Sequence, residues 1–179
     1  MFDSSYPCVN LGKDYNNPFS DPFDFLHTCR HRFVTEHGDV YLVEVKCFAP
    51  SIYITEFFLR KDRHCRKREK YGRITNRGKA CKIISTCFKI MVDLLQHDAQ
   101  ASYAFMGAPT VTPFVEECET ETQRFRIYRY AAMNLFGENG FEQEEDTNTS
   151  TYFILNNQVD KQAVKKRMAA ILGTMFPES

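Results

Sequence analysis

The feature that most constrains the fold of this chain is an apolar stripe between Gly78 and Gln96. Lys82, Lys89 and Asp93 fall on the face opposite to it. Seven apolar positions over about five turns are too regular for a surface helix, so we expect a central core helix. The stripe residues recur at steps of three and four, which predicts an amphipathic helix: Ala80, Ile83, Ile84, Cys87, Met91, Leu94 and Leu95.

Segments of strand character lie on both sides of this helix. Residues 26–35 are a possible strand of mixed character, residues 40–48 are a β-branched and aromatic run, and residues 52–59 predict a further strand. Turn residues separate them, which predicts an antiparallel meander. Residues 101–106 and 151–155 predict two further strands. We expect the helix stripe to pack on the sheet made from residues 40–59 and 101–106.

Capping and stop residues predict where the helices of the chain begin and end. Thr75 or Asn76 is predicted to cap the central helix. A second helix is predicted over residues 123–136, with Thr120 and Gln123 as a capping box and Gly137 at its end. Residues 123–130 also alternate polar and apolar side chains, which leaves a strand start open as the alternative. A last helix is predicted from an N-cap at Asp160 to a stop near Pro177.

This order of elements predicts an α+β fold. We expect a mixed or antiparallel sheet of about five strands with helices packed on one face. Residues 1–22 are rich in Asn, Ser, Asp and Pro and lack periodicity, which predicts an irregular N-terminal arm. Residues 23–179 are predicted to form a single α+β domain.

Cysteine usage indicates a reducing compartment. The seven Cys are an odd number and include no C-x-x-C pair, which is typical of free thiols. No apolar run approaches the length of about 18 residues that a membrane span needs, and residues 1–12 lack the pattern of a secretory signal. We therefore expect a cytoplasmic protein with no membrane partner.

Charge is strongly segregated although the net charge is zero. Residues 60–82 carry eleven Lys or Arg against two acids, a net of +9. Residues 116–146 carry nine acids against three Arg, a net of −6. One interpretation is a solvated basic loop that faces an acidic one. The other is a surface that binds a polyanion such as nucleic acid, because phosphate backbones attract clustered cations.

The basic segment, defined as residues 60–82, is the leading candidate site. It lacks the signatures of the common nucleic-acid-binding folds, but Tyr71 could stack on a base. The start of the central helix could hold an anion through Thr75, Gly78 and Lys79, or be only a helix cap with solvated cations. The candidate binding residues are Arg66, Lys67, Arg68, Lys70, Tyr71, Arg73, Thr75, Arg77, Gly78 and Lys79.

An enzymatic alternative depends on Glu44 and Lys46. An E-x-K pair on a strand places both side chains on one face, and the string from Gly38 to Lys46 resembles the metal-binding step of the restriction-endonuclease-like superfamily. That resemblance implies a nuclease that uses Mg²⁺ or Mn²⁺, with Asp39 or Asp24 as the second acidic ligand. The alternative is an amphipathic strand with solvent-facing Glu and Lys.

The sequence contains two other clusters of polar side chains. His27, Cys29 and His31 would share one face of a strand and could bind zinc, with His37, His64 and Cys65 as further candidates. The paired knuckles of structural zinc sites are missing, so ordinary His and Cys are favoured and we expect no metal and no cofactor. Arg124, Arg126 and Arg129 with the acids of residues 116–121 predict an ion-pair network.

The second half resembles small uncharacterised bacterial α+β proteins of unknown function. The motifs are Ile74-Thr75-Asn76 before a helix that contains Thr86, then Phe105-Met106-Gly107, then Arg124 to Tyr128. The resemblance covers residues 40–156. It implies an α+β fold and a bacterial or mobile-element origin, and it implies no activity.

These signals rank three functions. The leading hypothesis is a non-catalytic intracellular binding module for a polyanion, most simply nucleic acid. The second is the metal-dependent nuclease, so whether the chain is an enzyme stays open. The third is a protein-interaction role, as an inhibitor, immunity or regulatory protein or as a homo-oligomer, because aromatic surplus and segregated charge also suit an interface.

Overall fold

The computed structural model describes residues 4–20, 22–73, 79–114, 116–137 and 140–176. They form an α+β fold around one seven-stranded mixed sheet in the order β1-β2-β3-β4-β5-β7-β6. The strands are β1 Cys8–Asp14, β2 Phe25–Val34, β3 Val40–Phe48, β4 Ile52–Leu59, β5 Ser102–Met106, β6 Phe141–Asp146 and β7 Thr151–Asn156. A 3-10 helix spans Arg60–Asp62, and the α-helices are α1 Lys67–Gly72, α2 Ala80–Leu95, α3 Gln123–Phe136 and α4 Lys161–Met175.

The predicted meander is confirmed in β2, β3 and β4, which pair antiparallel in sequence order. Helix α2 then crosses over the sheet, so that β5 lies parallel to β4 with Ile52 opposite Ser102. The remaining described pairings are antiparallel. The parallel pair sends β4 and β5 towards the same end of the sheet. We call this the basic end, because the basic segment begins there at Arg60.

The first face of the sheet carries α2 and α3. Ile83, Ile84, Cys87 and Met91 of the predicted stripe are buried there, while Ala80 is exposed and Leu94 and Leu95 are half-buried. Cys87 packs with Tyr41, Val43 and Val45, and Met91 packs with aromatic side chains of β5 and α3. The stripe therefore does form the centre of the core, as the spacing predicts.

The prediction that helices cover only one face of the sheet is wrong, because α4 covers the second face. Met168, Ile171 and Leu172 of α4 pack against Phe48, Ile54 and Phe153. The even-numbered positions of β3 and β4 that point to this face include both apolar and charged side chains, so alternation alone does not reveal a second buried face.

Two strands were missed. Residues 8–14 lie in the segment predicted as an irregular arm, yet they pair with β2 as an edge strand, with Lys13 opposite Cys29. Its side chains are almost all exposed, so it carries no buried-face pattern. Strand β6 is the opposite edge, and its acidic sequence masks its strand character in the same way.

The helix ends follow capping chemistry. The Asp160 carboxylate accepts a hydrogen bond from the Ala163 amide, and Gly137 ends α3 with a positive φ of 59°, both as predicted. Thr122, not Thr120, caps α3 by accepting from the Phe125 amide. The N-cap position of α2 is Lys79, without a side-chain cap bond; Thr75 and Asn76 lie outside the described residues. In the described part of the chain, none of the helices has both the length and the apolar character of a membrane span.

Candidate functional site

An ion pair with a buried carboxylate fixes the start of the basic segment. Asp62, at the end of the 3-10 helix, is only 1% exposed, and its Oδ1 lies 2.6 Å from a guanidinium nitrogen of Arg73. The Asp62 carbonyl also accepts a hydrogen bond from the Cys65 amide at 3.0 Å. The Asp62 charge raises the pKa of Arg73 above its ordinary value. The chain that follows Asp62 is therefore anchored by contacts with this buried carboxylate and its backbone carbonyl.

Four cations point outwards from this turn. Arg60, Lys61, Arg63 and Arg66 are exposed, and none forms an ion pair with another described residue. We call residues 60–66 the cationic turn. Three of its cations precede Arg66, the first of the individually predicted binding residues, and all four lie within the basic segment that is predicted as the binding surface.

The cations of α1 are already engaged. Lys67 donates to the Met175 carbonyl, and Arg68 pairs with Glu116. Lys70 lies 3.8 Å from the centre of the Phe58 ring, and burial lowers its pKa. These three side chains bind other parts of the chain, which is a correction to the prediction that they face a ligand.

Tyr71 is not placed to stack on a base. Its ring packs edge-on between Phe58 and Phe176, with centroids 5.9 and 5.4 Å away. Burial, followed by the nearby Glu56 carboxylate, raises the pKa of its hydroxyl. The prediction of an aromatic platform at Tyr71 is therefore wrong, because the ring closes the core between β4 and the end of α4.

The predicted anion site at the start of α2 is described only in part. Thr75, Arg77 and Gly78 lie outside the described residues. Lys79 pairs with Glu36 at 3.2 Å. The Tyr6 hydroxyl donates to the same carboxylate and is the main cause that lowers the pKa of Glu36 to about 2. Lys79 is thus attached to the β2–β3 turn.

The acidic segment is largely neutralised by the fold. Arg129 lies 3.1 Å from Glu145 and 3.6 Å from Glu121, which confirms the predicted ion-pair network for this residue. Arg124 and Arg126 instead donate to the backbone carbonyls of Arg73 and Glu121. Because Arg68 also pairs with Glu116, the basic and acidic segments meet at the basic end of the sheet.

Glu44 and Lys46 do share one face of β3, as the E-x-K spacing predicts. They belong to a row of alternating charges across four strands, not to an open site. Arg30 lies 2.7 Å from Asp14 and 3.3 Å from Glu44, and Lys46 lies 3.8 Å from Glu44 and 2.5 Å from Glu56. Lys46 is 8% exposed, so its ammonium is held by carboxylates and does not face a substrate.

The carboxylates expected beside Glu44 are not there. Asp39 lies in the turn before β3, five residues from Glu44, which is about 16 Å along an extended strand. Asp24 pairs with Arg167 of α4. Among the described residues, Glu44 belongs to no cluster of three metal-ligating groups. These contacts do not favour the nuclease.

A small cavity lies where β4 and β5 splay apart beyond Ile54 and Ala104, where their pairing stops. It is lined by residues that include Thr55, Glu56 and Tyr128 and has a volume of about 30 Å³. That space is enough for about one water molecule. The Thr55 hydroxyl is buried there without a described hydrogen-bond partner, so a water is the occupant that the cavity fits.

The predicted zinc residues separate in the fold. His27 and Cys29 stay together on β2, but the third member of their cluster is Cys47 of β3 rather than His31. His31 is partly buried, and burial lowers its pKa. His37 and His64 are exposed near the basic end. Cys47 was missed because its proximity depends on the β2–β3 register, which the alternation within one strand does not reveal.

Comparison with known proteins returns no relative: no protein-family model, curated protein or solved structure matches the chain. The resemblance of residues 40–156 to small bacterial proteins stays a prediction.

Proposed function

We propose that this protein is a non-catalytic binding module that engages a polyanion, specifically nucleic acid, through the cationic turn. The observation that carries the proposal is the contrast along the basic segment. Arg60, Lys61, Arg63 and Arg66 are exposed and without an ion-pair partner among the described residues, whereas the cations from Lys67 to Arg73 and Lys79 are engaged by the protein itself.

The anchoring of the turn supports this function. Binding a phosphate backbone releases condensed counterions, and each neutralised phosphate adds to affinity at low salt. Side chains that leave a fixed backbone lose less freedom on binding than those on a loose loop. Asp62 and Arg73 supply that fixed backbone. Three of the four cations are Arg, whose planar guanidinium can grip a phosphate with two hydrogen bonds.

The side chains of the cationic turn can contact the phosphate backbone of a nucleic acid, but they are not suited to recognising its bases. The cationic turn presents charged side chains without an exposed aromatic, since Tyr71 is packed inside. Phosphate contacts position a protein but carry no sequence information. We therefore expect binding that depends strongly on salt and weakly on sequence.

The test is fluorescence anisotropy with a labelled duplex DNA and a labelled RNA over a series of salt concentrations. The variant R63A/R66A removes two cations from the turn, and K89A/K166A is its control, because these two Lys are exposed on α2 and α4 and carry the same charge. For duplex DNA, R63A/R66A should reduce the slope of log K against log salt by about 1.8. The control should reduce it far less.

Two results would refute the proposal. One is the absence of binding at about 50 mM salt, where phosphate contacts are strong. The other is an equal loss of slope in both double variants, because that would assign any binding to net charge and not to the cationic turn.

A further inference from the structure

Two cysteines and one histidine converge on the first face of the sheet, at the end opposite to the cationic turn. His27 and Cys29 are alternate residues of β2 and therefore share a face. Cys47 of β3 lies opposite His27 in the strand register. The two Sγ atoms are 3.9 Å apart, and each pair of ligand atoms among the three residues lies within 4.8 Å.

The sulfur–sulfur separation matches the ligand shell of a tetrahedral zinc ion. With Zn–S bonds of about 2.3 Å and tetrahedral angles, two thiolate sulfurs lie about 3.8 Å apart. With a Zn–N bond of about 2.0 Å, sulfur and imidazole nitrogen lie about 3.5 Å apart. The thiol pair already has its liganded spacing, and only the imidazole has to approach.

We propose that His27, Cys29 and Cys47 bind one Zn²⁺ ion, with the fourth coordination position open to water or a small anionic ligand. Thiolate and imidazole are the donors that favour zinc over Mg²⁺ or Ca²⁺. Binding requires both thiols to release their protons to solvent and the imidazole to be neutral. The dication and two thiolates then sum to zero charge, which a largely buried site can hold at little desolvation cost.

The surroundings suit this binding event. Cys29 and Cys47 are buried at 7% and 2% exposure on adjacent strands, so their positions are fixed before the metal arrives. His27 is half-buried, and its ring lies 5.6 Å from the exposed ring of Tyr15, which leaves an approach from solvent on this side. Lys13 sits opposite Cys29 across β1 and β2, where its positive charge favours thiolates.

The competing chemistry is a disulfide between the same two cysteines. Cys29 lies opposite Val45 and Cys47 opposite His27, so the cysteines are diagonal neighbours. A disulfide would need the sulfurs to move from 3.9 Å to about 2.05 Å. Its formation would also remove two electrons and two protons from the thiols, which requires an oxidant, and it would use up both thiol ligands and leave His27 without a role. The His27 imidazole offers a nitrogen within 4.8 Å of both sulfur atoms, and this third ligand favours the metal over the disulfide.

The first experiment uses the whole protein, stripped with a chelator under reducing conditions and titrated with Zn²⁺ against a chromophoric competitor. We expect one Zn²⁺ per chain. Titration with Co²⁺ should give sulfur-to-cobalt charge-transfer absorption and the d–d bands of a tetrahedral site. Neither reading depends on any activity of the protein.

Variants assign the ligands. H27A, C29S and C47S should each weaken Zn²⁺ binding by more than about 100-fold, since even residues that only orient ligands change affinity by about 10–100-fold. C118S, at an exposed cysteine, and H37A, at an exposed histidine, are the controls and should bind as the wild type does. Circular dichroism checks that each variant is folded. If C47S does not fold, H27A and the wild-type Co²⁺ spectrum still decide the matter.

Three outcomes would overturn the proposal. The first is a wild type that gives no thiolate–cobalt absorption. The second is an H27A variant that binds Zn²⁺ as tightly as the wild type. The third is a disulfide between Cys29 and Cys47, found by mass spectrometry of protein kept in a reducing buffer, which would assign the pair to redox chemistry.

Discussion

The buried contact between Lys46 and Glu56 gives the sharpest test of the fold's energetics. Lys46 Nζ lies 2.5 Å from Glu56, and the two side chains are 11% and 6% exposed. Glu44 and Glu56 face each other directly across β3 and β4. Without the ammonium, two carboxylates would therefore be neighbours in a poorly solvated site. The variant K46M creates that arrangement while keeping most of the side-chain volume.

Removal of one partner from a buried ion pair destabilises a protein by about 3–5 kcal/mol, whereas an exposed pair is worth about 0.2–1 kcal/mol. We expect K46M to lie in the first range, because it also brings Glu44 and Glu56 into repulsion. That loss corresponds to a Tm lower by about 6–20 °C for a chain of this size. E56L should destabilise less, because Lys46 keeps Glu44 at 3.8 Å.

The double variant K46M/E56L separates the cost of leaving one buried charge unpaired from the effect of placing apolar side chains at these two positions. Apolar replacement of both partners is often neutral or stabilising, so the double variant should be more stable than K46M alone. Urea unfolding followed by circular dichroism, which suits a chain without Trp, measures all four proteins. A K46M variant within about 1 kcal/mol of the wild type would refute the reasoning, since that is the value of an exposed pair. Strictly additive losses in the double variant would refute it too.

Three further predictions use the same unfolding assay. G107A should destabilise by about 1–3 kcal/mol, because a Cβ there would lie 2.5 Å from the Phe125 amide nitrogen and 2.7 Å from the Thr122 hydroxyl; an unchanged midpoint would contradict this close approach. D160A should lower the free energy of unfolding by about 1 kcal/mol, because it removes the N-cap of α4. D160N should keep most of this stability, because Asn is also a good N-cap. Glu36, whose folded pKa of about 2 lies below its unfolded value of about 4.3, stabilises the fold above the unfolded pKa and loses this contribution as the pH falls through 2. E36Q should therefore flatten the pH dependence of stability between these values, and an unaltered acid profile would exclude the Tyr6–Glu36–Lys79 contact as its source.

Sequence reasoning works where one residue pattern decides the structure by itself. Strands β3 and β4 and helix α3 have the predicted bounds, because their alternation or helical spacing is interrupted by clear turn and cap residues. It fails at the two edge strands. Edge strands contribute little to the core, so β1 and β6 can carry polar sequences and still complete the sheet through backbone hydrogen bonds.

The proposed zinc site and the buried Lys46–Glu56 pair were harder to predict because each depends on which strands are neighbours. Cys47 joins His27 and Cys29 only through the β2–β3 register, and Lys46 meets Glu56 only through β3–β4. The basic segment shows a related limit. Its charge can be counted along the chain, but Arg68 and Arg73 are neutralised by Glu116 and Asp62, and only the folded arrangement reveals which cations remain.

The two proposed sites lie at opposite ends of the sheet, which makes them physically independent. Cys47 pairs with Tyr53 near the start of β4, and the cationic turn begins after Leu59. Six residues of extended strand separate these points, about 20 Å. Exposed charges farther apart than about 10 Å are largely screened at 0.1 M salt. A zinc site with its two thiolates is also neutral, so its occupancy changes little of the field at the turn. Zinc binding should therefore leave the salt slope of nucleic-acid binding unaltered, and the failure of either proposal leaves the other standing.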